Sequence, residues 1–195
     1  GGIADGRGLT AMLGMGAVGV WMGTRFVASP EAAGHMNYKE RITETDDEGT
    51  VVTRCFSGKP ARMIRNSVTE AWEAPELQER IQPFPRQMRV VSEWLGENPY
   101  VAGRFGGNTD QGALAAGQSC AVIRDVLPAG EIVERIISEA EEALSRLAPM
   151  SRWMDIRRRT APTVRTAETS RSPTELGCFS GRPALALHTN WRDRV

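Results

Sequence analysis

Four glycines fall within the first eight residues, Gly1-Gly2-Ile3-Ala4-Asp5-Gly6-Arg7-Gly8. Glycine loses more backbone freedom on folding than any other residue, so a cluster of this kind marks a turn that needs it. The next residues narrow what that turn serves. Leu9, Met12, Leu13 and Ala17 share one face at helical spacing, and Asp5 stands where an N-cap belongs, so Asp5 to Gly16 reads as a short helix. Ala17 to Gly23, "AVGVWMG", is a compact apolar run bounded by glycine and lacking polar alternation. That is the pattern of a strand buried on both faces of a parallel sheet. Glycine turn, helix, buried strand and second glycine together predict the closing half of a β-α-β unit.

A helix that starts after a glycine turn presents unpaired N–H groups and the positive end of its dipole, which suits an anion. In (β/α)8 barrels, a cofactor phosphate often sits between the loops that follow the last two strands. Here Gly1-Gly2 and Gly23-Thr24 are separated by one helix and one apolar run. Both can therefore offer backbone N–H groups to a single phosphate, with the Thr24 hydroxyl as a further donor. Either segment alone could be a plain tight turn; the pair points to a phosphate-bearing ligand.

Beyond Pro30 the pattern changes. Short helical stretches mix with the acidic loop "ETDDEG" and the β-prone run "TVVTRCF", and helices are expected near Val68 to Glu73 and over Arg86 to Leu95. Glu131 to Leu147 is the clearest helix, with an apolar stripe from Ile132 through Ile136 and Ala140 to Leu147, and Pro149 is expected to stop it. From Ser151 onward the chain is rich in Arg, Thr, Ser and Pro and has no periodicity, so residues 151–195 are expected to be disordered. Within that tail "CFSGRPA" at 178–184 nearly repeats "CFSGKPA" at 55–61, a likeness too short for a structural repeat.

Composition excludes several function classes. Lys plus Arg and Asp plus Glu number 24 each, so overall charge selects neither nucleic acid nor a membrane as partner. The three cysteines, Cys55, Cys120 and Cys178, are far apart and have no metal-ligand spacing, so no metal site is expected and a reducing, cytoplasmic setting is the default. Neither a membrane-length apolar run nor a secretory leader is recognisable.

Three segments carry a resemblance. "GGIADGRGLTAMLGMGAVGVWMGTRFVASPE" resembles the last two strands of the nitronate monooxygenase family, formerly called 2-nitropropane dioxygenases. "VVTRCFSGKPARMIRN" is similar to the family's segment after the barrel, and "LAAGQSCAVIRDVLPAGEIVERIISEAEEAL" to its closing Gly-Gln segment and last helix. The likeness covers about residues 1–148. It implies an α/β fold, namely the C-terminal portion of an FMN-binding TIM barrel: the end of the seventh strand, the eighth strand and the helices after it. As an isolated chain this should be mostly helical. Residues 1–49 would be the last part of the barrel with the phosphate loops, 50–150 a helical C-terminal extension and 151–195 a tail outside the match. On this resemblance the chain begins within a motif because it is a piece of a longer protein.

The resemblance also assigns residues. Gly1 and Gly2 would bind the FMN phosphate through backbone N–H groups, and Trp21, Met22, Gly23 and Thr24 match the second phosphate loop, although the family more often has Gln at the Trp21 position. Gln118 would lie near the flavin. The family's catalytic histidine, in a Gly-Gly-His stretch, has no counterpart here, so no catalytic residue is assigned. The implied partners are a nitronate or nitroalkane and O2, with nitrite and a carbonyl compound as products. The same loops would serve an FMN-dependent enoyl-acyl-carrier-protein reductase, and an inactive barrel remnant is a third reading. His35 and His188 read as non-catalytic, Arg25 as half of a structural ion pair, Cys55 and Cys120 as small buried side chains, and Trp72 and Trp94 as packing.

Overall fold

A computed structural model describes residues 1–160, with 151–160 known through the backbone alone. In chain order the elements are α1 (Gly6–Gly14), α2 (Thr24–Val27), α3 (Met36–Glu44), β1 (Thr50–Thr53), β2 (Ala61–Ile64), α4 (Ser67–Ala71), α5 (Pro75–Gln78), α6 (Arg86–Leu95), α7 (Pro99–Arg104), a short 3-10 helix (Gln118–Val122) and α8 (Ala129–Thr160). Helix dominates, as expected. Among the described residues the sheet is a single antiparallel hairpin in which Thr50 faces Ile64 and Thr53 faces Ala61.

The hairpin and the segment 113–116 beside it divide the interior in two. Ile64 N–H donates to Leu114 O at 2.9 Å, and Met63 bridges Ala115. Adjacent residues of extended chain face opposite ways. Ile64 and Leu114 accordingly enter one cluster with Tyr38, Ile42, Cys120 and Ile123. Met63 and Ala113 enter the other with Phe56, Val68, Trp72 and Val91. Caps explain where the helices over this second cluster begin. Asn66 and Thr69 satisfy each other's backbone N–H groups at α4, and Asn98 accepts from Tyr100 and Val101 at α7, whose first residue is Pro99. The fully buried Gln87 of α6 donates to Cys55 O at 2.7 Å and accepts from Gln82 N–H at 2.8 Å, tying that helix to the hairpin turn.

At the start of the chain, α1 lies on α8. Gly6 makes the approach possible, because a Cβ there would collide with the Ile136 carbonyl and the Ala140 nitrogen. Thr10 Oγ1 shares its one proton between Gly6 O and Ala140 O, at 3.0 and 3.2 Å.

Two expectations fail here. Residues 17–23 are not a strand and are not buried: Val18 is fully exposed and Trp21 is 84% exposed. Gly1–Gly2 is likewise no strand end. A doubly buried strand needs strands on either side for its hydrogen bonds, and the only described sheet is the β1–β2 hairpin, in which residues 17–23 take no part. Second, α8 does not stop at Pro149 but runs to Thr160, so the first ten residues expected to be disordered are helical. Proline removes one N–H donor and crowds a carbonyl one turn back. On this exposed stretch, where residues 144–150 all face solvent, water can serve the freed carbonyl. The remainder of the expected tail, with Cys178, His188 and the second "CFSG" copy, lies outside the described residues.

Candidate phosphate-binding site

Three segments singled out in the sequence meet through one core cluster. Ala4 follows Gly1–Gly2, Ala28 follows the Gly23–Thr24 turn and Ala116 precedes Gly117–Gln118; all three pack in the cluster that holds Cys120 and Ile123. A direct bond joins two of the segments. Gly117 N–H donates to Thr24 Oγ1 at 2.9 Å. A hydroxyl offers one donor besides its acceptor lone pairs. The Thr24 proton is therefore free to point at a ligand while the oxygen holds Gly117.

The loop before Thr24 is built from backbone donors. Among the described residues, the N–H groups of Trp21, Met22 and Gly23 have no acceptor. Gly2 has φ +80°, a conformation that favours glycine, and side-chain positions built at Gly1, Gly2 and Gly23 meet nothing within 4 Å. A phosphate can thus approach these backbones closely. The Met22 side chain turns away into an apolar groove with Leu9, Val20, Phe26, Val133 and Ile137, whereas Trp21 projects into solvent. Gln118 is exposed at the start of the 3-10 helix.

The first turn of α1 is not part of this donor set, contrary to the sequence reading. Gly8 N–H donates to Asp5 Oδ1 and Gly6 N–H to Glu139 Oε2, each at 2.8 Å. Two of the protein's own carboxylates occupy the positive end of the helix. The Glu139 contact depends on a docking partner 133 residues away, which no local pattern signals.

Arg25 is equally committed. It is 6% exposed and holds Asp125 Oδ1 at 2.9 Å, the Asp125 carbonyl at 2.8 Å and the Ala28 carbonyl at 3.1 Å. Burial pushes the Asp125 carboxyl up, but hydrogen bonds from Arg135 and Arg25 outweigh it and hold the group below its ordinary 3.8. Arg25 is thus a structural cation, as expected. His35 caps α3 through Nδ1, which accepts from Asn37 N–H at 3.1 Å. Cys55 and Cys120 are fully buried; desolvation raises both thiols, that of Cys55 to about 11, so neither is a nucleophile at neutral pH.

Comparison with known proteins places these residues in context. The nitronate monooxygenase family profile matches residues 1–139. The nitronate monooxygenase of Pseudomonas aeruginosa is 34% identical over 139 residues, which are 71% of this chain and 38% of that protein. Among solved structures, FabK from Thermotoga maritima is 35% identical with a TM-score of 0.64, over 77% of this chain and 45% of that one. A nitroalkane oxidase from Streptomyces ansochromogenes is 30% identical with a TM-score of 0.62, over 75% of this chain and 40% of that one. The chain spans less than half the length of each of these three relatives.

Proposed function

This chain belongs to the nitronate monooxygenase family, and from that membership we propose that it carries the phosphate anchor of an FMN-dependent enzyme acting on alkyl nitronates. The observation that carries the reading is the Thr24–Gly117 hydrogen bond. It fixes the turn at residues 21–24, with its free backbone donors, against the Gly117–Gln118 segment. Gly2, Trp21, Met22 and Gly23 would hold the phosphate through backbone N–H groups, and the Thr24 hydroxyl would donate its remaining proton. Gly1 would leave room beside them, and Gln118 would face the flavin. Arg25 is not among these groups, since its guanidinium is committed to Asp125.

When bound, FMN supplies the redox chemistry that turns a nitronate and O2 into a carbonyl compound and nitrite. The residues described here bind and orient. No proton-removing residue is assigned among them; His35 Nδ1 accepts from Asn37 N–H at the α3 cap. On this reading residues 1–49 are the closing portion of a TIM barrel, and residues 17–23 take strand form only when flanked by other strands.

A second reading shares the anchor. An FMN-dependent enoyl-acyl-carrier-protein reductase would use the same phosphate loops, and the likeness to FabK at the level of fold keeps it in view. Isothermal titration with FMN and riboflavin tests what both readings have in common. FMN should bind at least about tenfold more tightly, the worth of one charge-assisted hydrogen bond. Equal affinity for the two flavins, or no binding of either, would refute a phosphate anchor here.

A further inference from the structure

Helix α8 carries more of a packing seam than its neighbours cover. Val133, Ile137, Ala140, Leu144 and Leu147 follow intervals of four, three, four and three, the heptad spacing by which one helix packs along another. Gly6 and Thr10 of α1 close over Ala140, which is 6% exposed. Helix α1 has nine residues and α8 has 32, so α1 covers only part of the seam. Beyond it Leu144 and Leu147 stay about half exposed, and residues 144–150 all face solvent. Most helical stability in a folded protein comes from packing an apolar face, and this stretch has nothing to pack on among the described residues. It also lies beyond residue 139, where the family match ends.

Charge along the same helix is divided. Residues 131–142 hold five glutamates and one arginine, and residues 146–159 hold five arginines and one aspartate. Three of the glutamates are engaged: Glu131 with Arg135, Glu142 with Arg146 and Glu139 with the Gly6 N–H. Glu134 and Glu141 are exposed and make no ion pair among the described residues. They stand two turns apart, on the flank beside Ile137 and Leu144. Arg152 and Arg159 repeat the seven-residue interval three turns further on, so all four residues fall on one flank of α8.

We infer that α8 pairs antiparallel with α8 of a second copy of this chain, about a two-fold axis between residues 146 and 147. That axis gathers Leu144 and Leu147 of both copies at the centre. It sets Glu141 level with Arg152 of the second copy, and Glu134 level with its Arg159. A parallel copy would instead set glutamate beside glutamate, and an anionic surface would attract one end of the helix and repel the other. Leucine burial supplies the affinity. The exposed ion pairs, individually weak, fix direction and register. Pro149 falls on the far side of the helix from Leu144 and Leu147 and leaves the seam clear.

Sedimentation equilibrium of the full 195-residue chain tests this. The chain should be dimeric at about 100 µM, above the micromolar dissociation constant open to a small interface. Leu147→Lys, at an exposed position, should leave it monomeric with an unchanged helix signal in circular dichroism. Glu134→Arg and Glu141→Arg together should weaken the dimer at least about tenfold, since like charges then face each other. Adding Arg152→Glu and Arg159→Glu to that chain should restore the native affinity, which neither a parallel pair nor a merely structural effect of the substitutions would produce. The inference is overturned if the native chain is monomeric at this concentration, or if Leu147→Lys dimerises as the native chain does. It is also overturned if reversing the two glutamates leaves the affinity unchanged, or if the complete charge exchange fails to restore it.

Discussion

Thr24 has one hydroxyl and two tasks: its oxygen accepts from Gly117 N–H, and its proton remains for a ligand. Thr24→Val keeps the shape and removes both. It should weaken FMN binding by about tenfold or more, whereas Thr24→Ser should retain most of it; flavin fluorescence titration checks the pair. One position on, Arg25 is 6% exposed, yet its partner Asp125 is about a third exposed, so the pair is partly screened. Arg25→Ala should cost about 2 kcal/mol in a denaturant melt, since it frees three hydrogen-bond partners. The Asp125 carboxyl lies below 3.8 in the folded protein, so its contribution is complete above that value. That stability is lost as pH falls through the lower folded pKa, and Asp125→Asn should flatten this part of the acid-unfolding curve. Much at this scale was legible in advance: the Arg25 ion pair and the burial of Cys55 and Cys120 follow from residue type and position. Glu139 closing the α1 N-terminus was not, because only the docking of α8 brings it there.

Elements set by local chemistry match their sequence signals closely. Helix α6 spans Arg86–Leu95 as periodicity predicts, and α1 starts after its Asp5 cap. Those set by tertiary partners do not. Residues 17–23 have the composition of a buried strand but no neighbouring strand to complete it, and apolar composition alone does not make a sheet. The second strand of the hairpin, α7 and the 3-10 helix carry no clear sequence signal, each being short. The α1–α8 contact is the most demanding in packing. Gly6→Ala should destabilise by about 2 kcal/mol because backbone, not a flexible side chain, blocks the added methyl. Gly14→Ala, at the open end of the same helix, meets nothing within 4 Å and should instead stabilise by about 0.7 kcal/mol through helix propensity. Thermal melts of the two variants give opposite signs if the packing is as described.

Among the described residues, several large apolar side chains remain exposed. Leu13, Val18 and Trp21 project from the first segments, and Val133, Ile137 and Leu144 from the outer half of the α8 stripe. The sequence shows the full stripe, but only Ile132, Ile136 and Ala140 are buried. Exposed apolar surface of this extent binds hydrophobic dyes, so the protein should enhance 1-anilinonaphthalene-8-sulfonate fluorescence in its folded state. Paired Val18→Lys and Ile137→Lys substitutions should abolish most of that signal without lowering the melting temperature. The same face borders the groove into which Met22 turns, so it adjoins the turn that the functional account depends on. The most direct test of that account is an FMN titration followed by backbone amide resonances. The account predicts that the Gly2, Trp21, Met22 and Gly23 amides shift saturably with FMN and remain still with riboflavin. Shifts confined to other segments, or identical shifts with both flavins, would contradict it.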